Sequence, residues 1–245
     1  MRILLTNDDG YFSKGITMLD EMLSEIGEVT IVAPENNYSG ASSSLTLKNP
    51  LRIRKYKDKG FYVNGTPADC VFMALTRILK NPPDILISGI NHGANLGDDV
   101  LYSGTVGAAM GGRFHPFPSI AISITNLKPD HLSTAVEVLR EIIDKKLDRL
   151  PNPSSILNVN VPDIPIDEIQ GYSLTRLGRR ELPQNDRINT DAYGNEIHWV
   201  GPPPEPVLGD EGTDFDAISK NRVSITPLKT DFTDFKSMEA LKDWL

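Results

Sequence analysis

Two neighbouring aspartates, Asp8 and Asp9, directly follow a short apolar run at residues 3–5. Such a run predicts a buried parallel strand, and open α/β sheets place their ligand sites at the carboxyl ends of these strands. Two adjacent carboxylates repel each other, so the pattern favours a cation between them. The same residues also form a good turn, because Asn and Asp tolerate left-handed backbone and Gly10 supplies positive φ. The motif alone therefore leaves a metal site and a plain turn open.

Further oxygen-bearing side chains follow two other apolar runs. Ser39 lies in a hydroxyl-rich loop after residues 29–33, and Asn91 lies in a glycine-rich loop after residues 85–88. If these strands are neighbours of the first one, the loops meet at one edge of the sheet. The resulting set is entirely oxygen, which suits Mg²⁺ or Mn²⁺ better than zinc. The candidate ligands are thus Asp8, Asp9, Ser39 and Asn91, with a flexible polar loop around Ser39 as the alternative.

Three other polar residues, His92, Asp98 and Asp99, share the loop of Asn91. A lone histidine in a glycine-rich loop is more often a polar loop residue than a catalytic group. The two aspartates are typical of solvated or helix-capping carboxylates rather than of a second metal site. The sequence shows no Cys/His cluster of zinc-ligand type.

A turn rich in hydroxyls and glycine, Ser103-Gly104-Thr105, opens a predicted helix of small residues. Helix N-termini present unpaired N–H groups and a partial positive charge, so a phosphate could dock there against Ser103 and Thr105. Simple capping of the helix by Ser103 explains the same residues equally well. Neither a P-loop nor a dinucleotide-binding glycine motif occurs, which argues against an NTPase and a dinucleotide dehydrogenase.

The elements that would position these loops alternate along the first two-thirds of the chain. Apolar runs predict strands at residues 3–5, 29–33, 85–88, 120–124 and 156–159. Helical patterns occupy residues 14–26, 67–79, 104–113 and 131–147. This alternation predicts an α/β fold with a doubly wound, mostly parallel sheet. Near the end, a strand is expected at residues 223–226 and a short amphipathic helix at residues 238–245.

Residues 171–206 are different, with several arginines, a Tyr193-Gly194-Asn195 turn and the stretch Gly201-Pro202-Pro203-Pro204. They predict a protruding β-hairpin arm followed by a proline-rich connection, and such arms often make subunit contacts. We therefore expect a single α/β domain over residues 1–245, with its core at about residues 1–165. The arm and a C-terminal oligomerisation segment are expected at about residues 170–245.

Composition narrows the classes of partner. The 245 residues carry a formal net charge of −8, which opposes attraction to duplex nucleic acid. A small anionic substrate stays possible, because a bound divalent metal reverses the local sign of the field. No membrane-spanning run and no signal-peptide pattern is present, so we expect no membrane partner and a cytoplasmic location. The single cysteine, Cys70, is expected at a buried helix position and not as a catalytic thiol.

Five segments of the chain, in order, match a known family: "MRILLTNDDG", "VAPENNYSGASSSLTL", "NGTPADCV", "PDILISGINHGANLGDDVLYSGTVGAA" and "VSITPL". They resemble the SurE survival-protein family of metal-dependent nucleotidases over nearly the whole chain. The resemblance implies a Rossmann-like core and a phosphomonoesterase acting on nucleoside 5′-monophosphates and often 3′-monophosphates. It also implies a homodimer or homotetramer joined through swapped C-terminal segments.

The same resemblance assigns residues. The family's metal ligands fall on the four candidates already named, and its phosphate-facing turn falls on Ser103, Gly104 and Thr105, with Gly40 and Asn95 nearby. Two departures occur. Met110-Gly111-Gly112-Arg113 replaces a pattern with Glu after the small-residue helix, which puts the end of that helix in doubt. Lys220-Asn221-Arg222 stands where Gly-Tyr is commoner, which affects C-terminal packing more than the site.

These residues suggest water attack on a phosphate held by one divalent metal, with Asp8 favoured over Asp9 as the general base. The sequence leaves open which aspartate acts, and whether a carboxylate attacks directly to form an aspartyl-phosphate. An exopolyphosphatase or broad phosphatase, and a non-catalytic nucleotide-binding module, are the alternatives. Base preference is not fixed: Tyr38, Tyr102, His92 and the arm are candidates for contact with a base.

Overall fold

A computed structural model describes residues 1–113, 115–146, 155–182, 187–200, 203–207 and 209–244. Its strands are β1 Arg2–Thr6, β2 Glu28–Pro34, β3 Ile53–Lys57, β4 Gly60–Val63, β5 Ile85–His92, β6 Ser119–Ile124, β7 Ser155–Val161, β8 Tyr172–Leu174, β9 Arg187–Thr190, β10 Glu196–Trp199 and β11 Val223–Lys229. Its α-helices are α1 Lys14–Ser24, α2 Pro67–Met73, α3 Gly104–Met110, α4 Leu132–Lys146, α5 Asp214–Ser219 and α6 Phe235–Ala240.

The central sheet has nine strands in the order β3-β4-β2-β1-β5-β6-β7-β11-β8. β1 lies between β2 and β5 and is parallel to both, with Leu5 beside Ile31 and Thr6 beside Ser88. β3 and β11 run antiparallel to their neighbours β4 and β7. Because parallel neighbours end at the same edge, the loops that follow β1, β2 and β5 meet there. The prediction of a doubly wound, mostly parallel α/β sheet is confirmed.

Alternate residues of β1 face opposite layers of helices. Ile3 and Leu5 belong to a buried cluster with residues of α1 and α4, whereas Leu4 belongs to one with residues of α2. All three side chains are at most 1% exposed. Burying each contributes about 1.5–3 kcal/mol, so β1 is held firmly from both sides and its carboxyl end is a rigid platform.

Three predicted helices end earlier than their patterns suggested, and α1 does so by two residues, at Ser24. The helix predicted at residues 67–79 is α2 up to Met73, and it continues as a π-helical turn over Ala74–Ile78. α3 ends at Met110 with Gly111 as its C-cap. A Cβ atom at Gly111 would lie 2.8 Å from Val71 Cγ1, so the missing side chain lets this point of α3 approach α2 closely. Cys70 is fully buried in α2, as expected, and burial raises the pKa of its thiol.

The last part of the chain returns to the central sheet. β11 lies between β7 and β8, longer than the strand predicted at residues 223–226. Just before it, Asn221 has a left-handed φ of 54°, which Asn and Gly tolerate better than other residues. The guanidinium of Arg222 donates to Ser173 Oγ at 2.7 Å and to the carbonyl of Tyr172 at 2.6 Å. The departure at residues 220–222 thus stabilises β8 against β11.

The predicted arm contains the antiparallel hairpin of β9 and β10, as expected. The C-terminal helix begins at Phe235 rather than at residue 238, and a 3-10 turn at Lys242–Trp244 follows it. Leu147, residues 183–186, Gly201, Pro202 and Leu245, which belonged to predicted segments, lie outside the described residues. Within the described ranges, no helix has the length and apolar character needed to cross a membrane.

Candidate active site

The loop after β1 is a stabilised turn. Asn7 Nδ2 donates to the carbonyl of Gly10 at 2.9 Å and to Ser13 Oγ at 2.8 Å, and Gly10 has a φ of 103°. The turn chemistry read from the sequence is therefore present, but it does not exclude a ligand site. The turn closes the loop so that the carboxylates of Asp8 and Asp9 are fixed at the end of β1.

The Asp8 carboxylate is buried and is held by α3. Only 3% of Asp8 is exposed, and Thr105 Oγ1 donates to its Oδ1 at 2.5 Å. A Cβ atom at Gly104 would lie 2.8 Å from both Cβ and Oδ2 of Asp8, so only glycine leaves room for it. Burial raises the pKa of Asp8 to about 6, the charge of Asp9 adds to this, and the bond from Thr105 opposes it.

The Asp9 carboxylate is only partly satisfied. Its Oδ1 accepts from Asn37 Nδ2 at 3.2 Å, whereas Oδ2 is buried and has no hydrogen-bond partner among the residues that the structure describes. Burial raises the pKa of Asp9, and the nearby charge and backbone of His92 lower it. A buried oxygen without a partner costs about 1–3 kcal/mol, and more when it is charged. A cation at Oδ2 would remove that cost.

Ser39 and Asn91 are brought to the same edge. The amide of Tyr38 donates to the carbonyl of Asp8 at 2.8 Å, and the amide of Ser39 donates to Asn37 Oδ1 at 2.8 Å. Tyr38, the residue before Ser39, therefore contacts the loop of Asp8 directly and holds Ser39 close to it. Asn91 lies at the end of β5, after a register shift, and its Nδ2 donates to the carbonyl of Gly93 at 2.8 Å. This leaves the side-chain oxygen of Asn91 as its acceptor for a ligand.

The donor set fits a hard divalent cation. In the part of the chain that the structure describes, no group of three or more His, Cys, Asp or Glu side chains is placed to hold a metal ion. A cation at this edge must therefore use hydroxyl or amide oxygens beside the carboxylates. Two carboxylates, one hydroxyl and one amide oxygen are the ligand types that Mg²⁺ and Mn²⁺ accept.

Ser103 and Thr105 already have intramolecular roles. Ser103 Oγ accepts from the amide of Val106 at 3.1 Å, so the capping interpretation of this residue is confirmed. Thr105 positions Asp8, as described above. Gly104 lies against Asp8 between them, so the turn is adjacent to the carboxylates. Contact of these three residues with phosphate stays a prediction.

Gly40 and Asn95, the two remaining candidates for contact with phosphate, differ in how firmly the structure holds them. Gly40 has a φ of 77° and open space where a Cβ would be. Asn95 is fixed by polar side chains at buried positions: its Nδ2 donates to Ser123 Oγ and its amide to Asn160 Oδ1, both at 2.8 Å. Asn158 Nδ2 also donates to the carbonyl of Asn95 at 2.8 Å. The loop after β5 is thus anchored to β6 and β7.

Sequence reasoning missed several of these supporting contacts. Asn37, which donates to Asp9, lies in the same loop as Ser39 and was not predicted as a site residue. The two asparagines of β7 were a visible signal, because polar residues inside an apolar strand need buried partners. Asp99, interpreted as a solvated or capping carboxylate, instead accepts from Arg180 Nε at 2.9 Å. Its neighbour Asp98 is exposed, as that interpretation implied.

Comparison with known proteins gives a consistent result. The family model described as Survival protein SurE matches residues 3–184. A protein of Mannheimia succiniciproducens named 5′-nucleotidase SurE is 49% identical over 245 residues, which cover 100% of this chain and 99% of that protein. A protein of Alkalilimnicola ehrlichii with the same name is 48% identical, and the match covers 100% of this chain and 95% of that protein. The crystal structure of the Sure protein from Aquifex aeolicus superposes with a TM-score of 0.89 at 40% identity, covering 100% of this chain and 99% of that one.

Proposed function

Because the chain belongs to the SurE survival-protein family, we infer that it is a 5′-nucleotidase, an enzyme that releases phosphate from nucleoside 5′-monophosphates. The observation that carries the inference beyond the family name is the buried Oδ2 of Asp9, which has no hydrogen-bond partner within the described ranges and follows the buried carboxylate of Asp8. Such a pair of carboxylates lowers the stability of the ligand-free protein. It is useful where a bound cation must stabilise charge in a transition state.

We further propose that the enzyme depends on one divalent cation, Mg²⁺ or Mn²⁺. Asp8, Asp9, Ser39 and Asn91 would hold it, since they share one edge of the sheet and supply only hard oxygen donors. When bound, the cation would neutralise charge on a phosphate oxygen and lower the pKa of a coordinated water.

The chain's own groups would perform the remaining work. Asp8 is proposed to accept the proton of the attacking water, because Thr105 and Gly104 fix its carboxylate in one orientation. The backbone amides of the turn at Ser103, Gly104 and Thr105 are proposed to hold the other phosphate oxygens, with Gly40 and Asn95 nearby. Direct attack by a carboxylate is the alternative, and rapid-quench trapping of a stable phospho-aspartate would establish it.

The same phosphate-centred site is proposed to accept nucleoside 3′-monophosphates. The site would bind the phosphoryl group at the ends of the strands. None of the four proposed metal ligands needs to distinguish which ribose carbon carries the ester. Phosphate release measured with matched 5′- and 3′-monophosphates and with polyphosphate tests this proposal. Release from polyphosphate alone would favour an exopolyphosphatase.

We also propose a homo-oligomer in the cytoplasm. Phe235, Met238 and Trp244, on or just after α6, are 66%, 57% and 78% exposed. On the arm, Trp199 is 57% exposed. Exposed large apolar side chains on the arm and in the C-terminal segment favour contacts with another copy of the chain. Sedimentation velocity tests this: a compact monomer at micromolar concentration would contradict it.

The decisive experiment measures phosphate release from a panel of nucleoside monophosphates with Mg²⁺, Mn²⁺ or EDTA. Wild type is compared with Asp8→Asn and Asp9→Asn, and with Asp98→Asn as a matched control that removes an exposed carboxylate from a nearby loop. Release that needs metal, collapses in the first two variants and survives in the control supports the proposal. Nucleotide binding without release from a folded protein would indicate a binding module instead.

A further inference from the structure

A polar cavity of about 190 Å³ lies at the same edge of the sheet as the proposed metal ligands, none of which lines it. Its walls come from the ends of β2, β3 and β4. The lining residues are Glu35, Arg52, Arg54, Tyr62 and Asn64. The volume is below the roughly 300–1,000 Å³ of sites that enclose a whole drug-sized ligand. It therefore suits one part of a substrate rather than all of it.

The lining residues come together because of strand pairing. Tyr62 lies beside Arg54 on β3 and beside Ala33 on β2. Glu35, Arg52 and Asn64 lie one residue beyond these strands and are linked across them. The amide of Glu35 donates to the carbonyl of Val63 at 2.8 Å, and the amide of Arg52 donates to Asn64 Oδ1 at 2.6 Å. The backbone frame of the cavity is therefore built by pairing of three strands, and Arg52 and Arg54 extend over it from exposed positions.

The cavity lies close to the loop that carries Asp8 and Asp9, because few residues separate its lining residues from that loop. Glu35 is two residues before Asn37, whose amide contacts Asp9. Tyr11 follows the aspartates, its amide donates to the carbonyl of Pro34 at 2.9 Å, and its ring stacks on Tyr62 at 4.6 Å with an angle of 15°. β4 is two strands from β1, which is about 10 Å. A nucleoside monophosphate spans a comparable distance from its phosphate to its base.

The chemistry of the walls suits a nucleobase better than a second anion. Among the described residues, neither Arg52 nor Arg54 forms an ion pair, so both can donate to a ligand. Glu35 would repel a phosphate but accepts hydrogen bonds from amino and imino groups. The ring of Tyr62, held by Tyr11, offers an aromatic surface. Guanine matches best, since arginine binds its O6 and N7 acceptors and a carboxylate can accept from its N–H groups.

We propose that this cavity is the nucleobase subsite of the enzyme, with guanine as its preferred base. The proposal rests on the proposed function, because it assumes that the phosphate lies at Asp8 and Asp9. Arg54 and Glu35 are then the residues that determine base specificity. They act on substrate binding and not on the chemical step.

Kinetics on substrates with and without a base test the proposal. Arg54→Ala and Glu35→Gln are compared with wild type on GMP, UMP and ribose 5-phosphate. Lys55→Ala is the matched control, since this exposed cation is next to Arg54 but on the opposite face of β3. We expect Arg54→Ala to lower kcat/KM for GMP by about tenfold or more, mainly through KM, and to leave ribose 5-phosphate within about twofold. Glu35→Gln should reduce the preference for GMP over UMP.

Three results would overturn the subsite. One is an equal loss on GMP and on ribose 5-phosphate, which would indicate a general electrostatic or structural effect. Another is no change on any substrate. The third is a loss seen only when guanosine 3′,5′-bisphosphate is added to the panel, with GMP unchanged, which would assign the cavity to a second phosphate.

A binding measurement separates this proposal from the proposed function. Equilibrium dialysis in EDTA compares GMP with ribose 5-phosphate, which carry the same phosphate and differ by the base. Tighter binding of GMP that Arg54→Ala removes supports the subsite even if the wild type releases no phosphate, an outcome that would refute only the nucleotidase. Equal binding of the two ligands overturns the subsite whatever the activity.

Discussion

The substitution Asp8→Asn is expected to make the metal-free protein more stable at alkaline pH while abolishing phosphate release. Burial raises the pKa of Asp8 from 3.8 to about 6, so the folded protein binds its proton more tightly than the unfolded chain does. Folding stability therefore falls as the pH rises from about 3.8 to about 6 and is lower by a constant amount above that. A shift of about 2 units corresponds to about 3 kcal/mol, and Asn avoids this cost because it is never ionised.

The magnitude can be checked between two pH values. At about pH 4.5 the cost of ionising Asp8 is about 1 kcal/mol, and at about pH 8 it is about 3 kcal/mol. The difference in unfolding free energy between Asp8→Asn and wild type should thus grow by about 2 kcal/mol, or about 4–8 °C in Tm. The side-chain oxygen of Asn can still accept from Thr105, so the hydrogen bond is kept.

The assay is urea unfolding in EDTA at both pH values, followed by circular dichroism. Asp98→Asn serves as the control for loss of one negative charge. Taking the variant minus the wild type at each pH cancels the titration of groups that do not interact with Asp8, whereas the coupling between Asp8 and Asp9 stays in the difference. If Asp8→Asn changes the unfolding free energy equally at both pH values, burial does not perturb this carboxyl and the reasoning is wrong.

Three further outcomes are expected. Mn²⁺ at about 100 times its Kd should raise Tm by about 5–10 °C, corresponding to about 2.7 kcal/mol, and Asp9→Asn should abolish the shift; an unchanged shift would remove Asp9 from the ligand set. Gly104→Ala should lower kcat by about 100-fold with cooperative unfolding retained, because its Cβ would displace the Asp8 carboxylate; full activity would contradict the 2.8 Å approach. Phe235→Glu combined with Met238→Glu should shift the sedimentation coefficient toward that of the monomer, whereas an unchanged value would place the subunit interface elsewhere.

Much of the framework was readable from local patterns. Apolar runs of about five residues gave the central strands, because a strand buried on both faces must be apolar throughout. α2 begins close to where its pattern predicted, and Thr66, Pro67 and Asp69 form a capping box with proline at the first turn, which is a purely local signal. The edge hairpin of β3 and β4 was missed, because the residues of β3 are exposed and carry no apolar periodicity. The proposed base subsite was missed with it, and neither Tyr38 nor Tyr102 lines that cavity.

By itself, the sequence determined which residues could act: two carboxylates after a buried strand, with hydroxyl and amide oxygens after others. Only the tertiary structure decided what those groups experience. The contact between Thr105 and Asp8 joins residues 97 positions apart, and the partnerless oxygen of Asp9 depends on what is absent around it among the described residues. Local patterns record whether a residue is buried, because burial on one face sets the periodicity. They do not record the partner, since strand order and the distances between loops follow from the packing of the whole sheet.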